Sequence, residues 1–139
     1  MAHLMNKDKE QSSRIIDANL NRLREGIRVV EDILRYYFNH KEFSQLLKNL
    51  RHQCILPNEE EFLPFRDSLK DVLKPSSKEE QIRTSLKDIC IANFKRAEES
   101  SRVLEEILKL DSCLQSQKFK NIRYELYALE KEVMLNLFT

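Results

Sequence analysis

Apolar residues return every three or four positions through most of this chain, which is the period of helices buried along one side. Between residues 12 and 39, Ile16, Leu20, Leu23, Ile27, Val30, Leu34 and Tyr37 share one stripe when successive residues are turned by about 100°. Ile15, Val29 and Ile33 widen it, and Arg24, Arg28, Glu31 and Arg35 take the opposite face. Ser12 and Ser13 are residue types that cap a helix start. A second helix is predicted over residues 41–54, with Phe43, Leu46, Leu47 and Leu50 turned inward, and Ile55-Leu56-Pro57 ends it. Pro57, Pro64, Pro75 and the Ser76-Ser77 pair then break the rhythm, so residues 58–80 read as a loop with one short helix near 65–73. A third long helix is expected over residues 78–110, and Asp111-Ser112 marks a turn. The last helix, over residues 115–137, places Phe119, Ile122, Leu126, Leu129 and Val133 on one side.

The polar positions add an internal repeat. Residues 18–34 recur at 92–108 with nine of seventeen identical, in the pattern A-N-x-x-R-x-x-E-x-x-R-V-x-E-[DE]-I-L. Further on, Lys48-Asn49-Leu50-Arg51-His52 is matched by Lys120-Asn121-Ile122-Arg123-Tyr124. The expected fold is therefore all-α: two related hairpins, each a long helix followed by a shorter one, packed as a pseudo-twofold bundle with the irregular middle strapped across it. One domain over residues 12–137 is implied, with repeat 1 near 14–56, a linking segment at 57–80 and repeat 2 near 88–130. Residues 1–11 read as a tag remnant and disordered lead.

Composition narrows the function classes. A single glycine, three prolines and 34% charged residues favour helices over sandwiches, barrels and doubly wound sheets. The 24 basic and 23 acidic residues almost cancel without long blocks of one sign, which gives no support to nucleic-acid or membrane binding. Cys54, Cys90 and Cys113 are widely spaced and odd in number, so they suggest thiols of a reducing cytoplasm rather than disulfides or zinc ligands. No apolar run approaches the roughly 20 residues that span a bilayer.

Two polar residues of each repeat sit where apolar ones are expected. Asn19 falls near the middle of the apolar arc and Arg22 on its shoulder, and Asn93 and Arg96 repeat that placement. Burying such groups unpaired costs roughly 2 kcal/mol or more each. Either the asparagines bond each other while the arginines pair with Glu25 and Glu99, or all four converge on a ligand. In the second case Arg22 and Arg96 are forked donors to phosphate, and Asn19 and Asn93 read an amide-like or pyrimidine edge. Gly26, whose counterpart is Ser100, would let a ligand or another helix approach the backbone. Arg28, Glu31 and Asp32, with Arg102, Glu105 and Glu106, lie in the polar half and read as surface salt links. There is no G-x-x-x-x-G-K-[ST], G-x-G-x-x-G or H-E-x-x-H. His3, His40 and His52 suggest neither a metal site nor a triad. Carboxylates able to hold Mg²⁺ beside phosphates are Glu25, Glu99, Asp67 and Asp71, and Arg66 lies in the same middle segment.

Taken together, Arg14 to Asn19, Arg22, Glu25-Gly26, Arg28-Val29 and Glu31-Asp32, then Ala92-Asn93, Lys95-Arg96, Glu99, Arg102 to Glu106 and Arg123 to Glu130, resemble a known helical domain. It is found ahead of the barrel in some bacterial thiamine-phosphate synthases and is associated with a monofunctional hydroxymethylpyrimidine-phosphate kinase. The chain departs from that family at Asp71-Val72-Leu73, where Asp-Val-Gly is usual, and at Ser100-Ser101, where Ala-Leu is usual. The small Ser101 on a core-facing position suggests looser packing. The resemblance implies ATP-dependent phosphorylation of hydroxymethylpyrimidine phosphate to the diphosphate, with Mg²⁺ and ATP required. The alternative it leaves open is a non-catalytic module that forms a homodimer or docks on a thiamine-phosphate synthase. Coupling to thiazole phosphate belongs to the barrel, and no βα alternation is present here.

Overall fold

The computed structural model describes residues 6–76 and 82–139. Helix α1 spans Asn6–Asp32 and continues as a π turn over Ile33–Tyr37; α2 spans Lys41–Gln53, α3 Leu86–Leu108 and α4 Cys113–Leu137. All regular structure among the described residues is helical, as the composition predicts. α1 packs most broadly on α3, α3 carries α4 on its other flank, α2 folds back on α1, and α2 touches α4 to close the ring. Ile16, Leu20, Leu23, Ile27, Val30 and Leu34 of α1 meet Phe94, Ala97 and Leu104 of α3 and Phe119, Ile122 and Leu126 of α4 in one core. Among the described residues no helix is long and apolar enough to cross a membrane.

Several expectations need correction. α1 begins at Asn6, so Ser12 and Ser13 lie buried inside it and residues 6–11 are helical. Lys, Glu and Gln are good helix formers, Asp8 suits the first turn, and nothing between Asn6 and Ser12 stops the helix earlier. Tyr37 is 65% exposed despite its place in the stripe. The wide π turn, closed by Phe38 N donating to Ile33 O at 3.2 Å, shifts the phase of the wheel just before it. Asn39 then reverses the chain at φ 52°, a left-handed conformation that Asn tolerates. Next, His40 caps α2 by accepting from Phe43 N at 3.2 Å. Leu46 is exposed because Phe43, Leu47 and Leu50 fill the inner face.

α3 begins at Leu86 because Ser85 caps it, its hydroxyl accepting from Asp88 N at 3.1 Å. The expected start at residue 78 lies outside the described residues, and residues 82–85 are not helical. Ser112 caps α4 in the same way, accepting from Gln115 N at 3.2 Å. At 25 residues α4 exceeds the 23 of α3, so the second half is not a long-short hairpin. Short 3-10 turns at Glu59–Glu61, Leu63–Phe65 and Ser68–Lys70 replace the one helix expected near 65–73. Pro64 limits continuation there, and Asp67 starts the last turn by accepting from Lys70 N. Ser101 is fully buried, and its hydroxyl is satisfied in its own helix by donating to Ala97 O and Glu98 O.

The largest departure concerns Glu31 and Glu105, expected on the surface but only 1% and 7% exposed. Each is met by the arginine of the second repeated motif. Arg51 Nε donates to Glu31 Oε1 at 2.7 Å, and Arg123 donates to Glu105 Oε1 at 2.7 Å. These bonds raise the pKa of both guanidiniums further, so the pairs stay ionised. Arg28–Asp32 and Arg102–Glu106 are exposed i,i+4 links, as their place on the wheel implies.

Glu98 is buried as well, between Lys95 at 3.3 Å and the α3–α4 interface, and Lys95 also reaches Glu130 at 3.0 Å. Burial first, and Glu130 second, push the Glu98 carboxyl up to about 8.

Removing one member of a buried pair strands the other. Arg123→Ala should therefore lower unfolding free energy by about 3–5 kcal/mol, read by urea denaturation. Arg28→Ala, at an exposed link, should leave the thermal midpoint within about 2 °C of the parent.

Glu98 adds a pH dependence of definite sign. Between its ordinary value of 4.5 and about 8, the folded chain holds a proton that the unfolded chain has released. Stability then falls as pH rises through that window. Denaturation midpoints measured from pH 5 to 8 should show this slope, and Glu98→Gln should flatten it.

Candidate functional site

The middle segment runs back along α1 and is tied to it at three levels. Arg24 of α1 meets Glu59 at 2.6 Å. Further toward the N-terminus, Asp17 receives both ends of the Arg66 fork, each at 2.7 Å. Arg14 donates to the Asp67 carbonyl at 2.9 Å. Asp17 is 9% exposed, and the Asp17 carboxylate raises the pKa of Arg66, so the latch is firmly ionic. Beyond it, Asp71 ends the last turn and accepts from Leu73 N at 3.0 Å.

Two adjoining clefts open between this strap and the helices. The first, of about 440 Å³, is lined by Arg14, Asp17, Asn19 and Arg22 from α1 and by Arg66 and Asp67 from the strap, among others. The second, of about 530 Å³, is lined by Arg22 of α1, Arg96 of α3 and Asp71, Leu73 and Lys74 of the strap. Arg22, Ser68 and Asp71 border both. Both volumes lie within the range of small-molecule sites.

Arg22 and Arg96, the matching arginines of the repeat, are thus brought to one cleft. Both are exposed, and neither pairs with Glu25 or Glu99 or takes another partner among the described residues. The asparagines do not bond each other. Asn19, 6% exposed, donates to Ile15 O at 2.9 Å, and Asn93 donates to Ile89 O at the same distance. Asn19 lines the first cleft; Asn93 borders neither. Gly26 is buried against α3: a Cβ there would stand 3.0 Å from the Asn93 carbonyl oxygen and 3.4 Å from Ala97 Cβ. The space its missing side chain creates is filled by α3. Glu25, Glu99, Arg28 and Arg102 are exposed and lie outside both clefts.

Among the described residues no three His, Cys, Asp or Glu side chains gather as a metal cage. Mg²⁺ carried by phosphates takes only one or two protein carboxylates, and Asp71 is the carboxylate beside Arg22, Lys74 and Arg96. Burial pushes the Cys54 thiol up to about 12 and the Cys90 thiol up to about 11, so neither is a ready thiolate, and the exposed Cys113 borders neither cleft. The candidates missed from sequence are Arg14, Asp17, Ser68 and Lys74. Asp17 carried one usable signal: it adjoins Ile16 and Leu20 on the inward side of α1, where a carboxylate demands a cation.

Residues 14–132 match the model of the ThiD2 family. A thiamine-phosphate synthase of Nostoc sp. strain PCC 7120 is 39% identical over 122 residues, covering 87% of this chain and 35% of that protein. One of Synechocystis sp. strain PCC 6803 is 37% identical over 123 residues, covering 88% and 36%. Another, of Prochlorococcus marinus subsp. pastoris, is 38% identical over 123 residues, covering 88% and 35%. The chain spans about a third of the length of these curated relatives. No solved structure matches it.

The matched region contains the whole latch. Arg66→Ala should release the strap without unfolding the bundle. Limited proteolysis should then cut within residues 58–76 faster than in the parent, while the far-ultraviolet helical signal is unchanged.

Proposed function

The chain belongs to the ThiD2 family, and on that premise we propose that it serves thiamine biosynthesis by transferring the γ-phosphoryl group of ATP to hydroxymethylpyrimidine phosphate. A terminal phosphate oxygen of the pyrimidine monophosphate attacks the γ-phosphorus. The bond from that phosphorus to the β-bridging oxygen breaks, giving ADP and the pyrimidine diphosphate. The nucleophile is already an anion, so no side chain must remove a proton, and the protein's task is positioning and charge neutralisation.

One observation carries this reading: Arg22 and Arg96, from matching places in the two halves, line one cleft with Lys74 and Asp71. Guanidiniums in fork geometry suit phosphoryl oxygens, and these two have no described partner to give up. Lys74 adds a point charge on the strap side. Bound through phosphates at Asp71, Mg²⁺ would neutralise charge on the transferred group. Asn19, in the adjoining cleft, is the polar side chain placed to read the pyrimidine edge.

The synthase names of the relatives fit a division of labour. The pyrimidine diphosphate is what a thiamine-phosphate synthase joins to thiazole phosphate, so such an enzyme is the natural consumer of the product. The described residues of this chain hold no strand, and the coupling step is assigned to the portion of the relatives that this chain does not span.

Incubation with pyrimidine monophosphate, ATP and Mg²⁺ should yield ADP and pyrimidine diphosphate in equal amounts. Arg22→Ala and Arg96→Ala should each lower turnover by about 10²-fold, as expected for a lost donor to developing charge, with the helical signal retained. Absence of diphosphate from the parent chain, beside an active relative as control, would sink the kinase reading and leave the docking module as the better account.

A further inference from the structure

The two clefts differ in charge although they share a wall. In the first, the three cations Arg14, Arg22 and Arg66 face the three carboxylates Asp17, Asp67 and Asp71. In the second, the three cations Arg22, Lys74 and Arg96 face Asp71 alone among the described residues. The balance in the first cleft is also tied up internally. Arg66 spends its fork on Asp17, and Arg14 gives one N–H to the Asp67 carbonyl. In the second cleft, Arg22 and Arg96 have no partner among the described residues.

From this asymmetry we infer that the site is divided: the second cleft takes the polyphosphate chain of the donor, and the first takes an aminopyrimidine monophosphate, with Arg22 at the shared wall between them. A triphosphate needs a surplus of positive charge, which among the described residues only the second of these clefts supplies. The acceptor carries a single phosphate of about −1.5 to −2 charge, and Arg22 at the boundary can meet it. Its ring needs a directional polar group on an otherwise quiet wall. Asn19 supplies one. With one N–H spent on Ile15 O, it keeps its carbonyl oxygen and a second N–H, an adjacent acceptor and donor that match the amino group and neighbouring ring nitrogen of an aminopyrimidine. Asn21 is less free, because its Nδ2 donates to Asp17 O and its Oδ1 already accepts from Arg24. Arg22, Ser68 and Asp71 border both clefts, so the transferred phosphoryl group would cross there.

The assignment rests on the kinase reading for the identities of the two ligands, but its test reads binding rather than turnover. Isothermal titration would use two probes, inorganic tripolyphosphate and hydroxymethylpyrimidine phosphate, each added alone. The double variant Lys74→Ala/Arg96→Ala should weaken tripolyphosphate by about 10-fold or more and the pyrimidine by less than about 3-fold. Asn19→Ala should do the reverse. Should Asn19→Ala lose its fold, Ala18→Leu narrows the first cleft from a favourable helix residue and should block the pyrimidine alone. Arg22→Ala should weaken both probes. The inference is overturned if both probes respond to the same variants or if neither binds the parent chain. Partitioned binding without any ADP formation would uphold the two compartments and defeat the kinase reading instead.

Discussion

Much of the molecule depends on how α1 and α3 meet at Gly26. With no side chain there, the backbone of α3 fits where a Cβ would stand 3.0 Å from the Asn93 carbonyl oxygen. Glycine inside a helix costs about 1 kcal/mol against alanine, so the close approach must return at least that in packing. Its position explains the functional geometry. Arg22 lies one turn before Gly26 on α1, and Arg96 precedes Ala97, the other residue touching that gap. Close packing at one point is therefore what places repeat-related arginines on a single cleft, so Gly26 shapes the site without lining it.

The buried ion pairs set the other half of the architecture. Glu31–Arg51 ties α1 to α2, and Glu105–Arg123 ties α3 to α4. Each joins the first helix of one half to the helix that follows it. Ion pairs taken out of water seldom stabilise more than well-packed apolar residues would, because desolvation offsets the attraction. Their effect is on choice among alternatives. A bundle whose helices carry similar apolar stripes could pair them in several ways, and leaving either glutamate unpaired in the core is costly enough to disfavour the wrong ones.

Periodicity made the helical class, the stripe from Ile16 to Leu34 and the inward face of α4 readable from sequence, since each depends on local spacing. It could not reveal Glu31 and Glu105 as buried. A wheel knows only the helix it is drawn for, and their partners stand 20 and 18 residues away. The repeated Lys-Asn-x-Arg motif was visible, but its meaning needed the tertiary contact. Tyr37 failed for a local reason, because a π turn changes the angular step and a fixed-period wheel carries the error forward. At the site, Arg22 and Arg96 were legible because guanidiniums on the shoulder of an apolar arc need an explanation. Asn93 carried the same signal, yet its amide bonds Ile89 O and its carbonyl lies over Gly26. Asp17 of α1 and Arg66 and Lys74 of the strap were harder, since their roles rest on how an irregular segment lies on a helix.

The proposed phosphate site has no glycine-rich loop, which raises a question of magnitude. Backbone cradles hold their N–H groups in place before the ligand arrives, whereas exposed Arg22, Arg96 and Lys74 each give up as much as about 2 kcal/mol of rotamer freedom when fixed. A hydrogen bond to a charged group contributes about 1.5–3 kcal/mol net, and a guanidinium fork can make two. For the arginines one such bond about balances that cost and two outweigh it, provided that no existing ion pair must first be broken. Arg66 would fail that condition, because its fork is already filled by Asp17. Arg22 and Arg96 meet it among the described residues, which is why the chemistry is assigned to them and the latch to Arg66. Lys74, with a more strongly hydrated ammonium, sits nearer break-even and contributes mainly through long-range charge. The strap that carries it is fixed by the ionic latch one short turn earlier, so part of its ordering cost is met in folding rather than in binding.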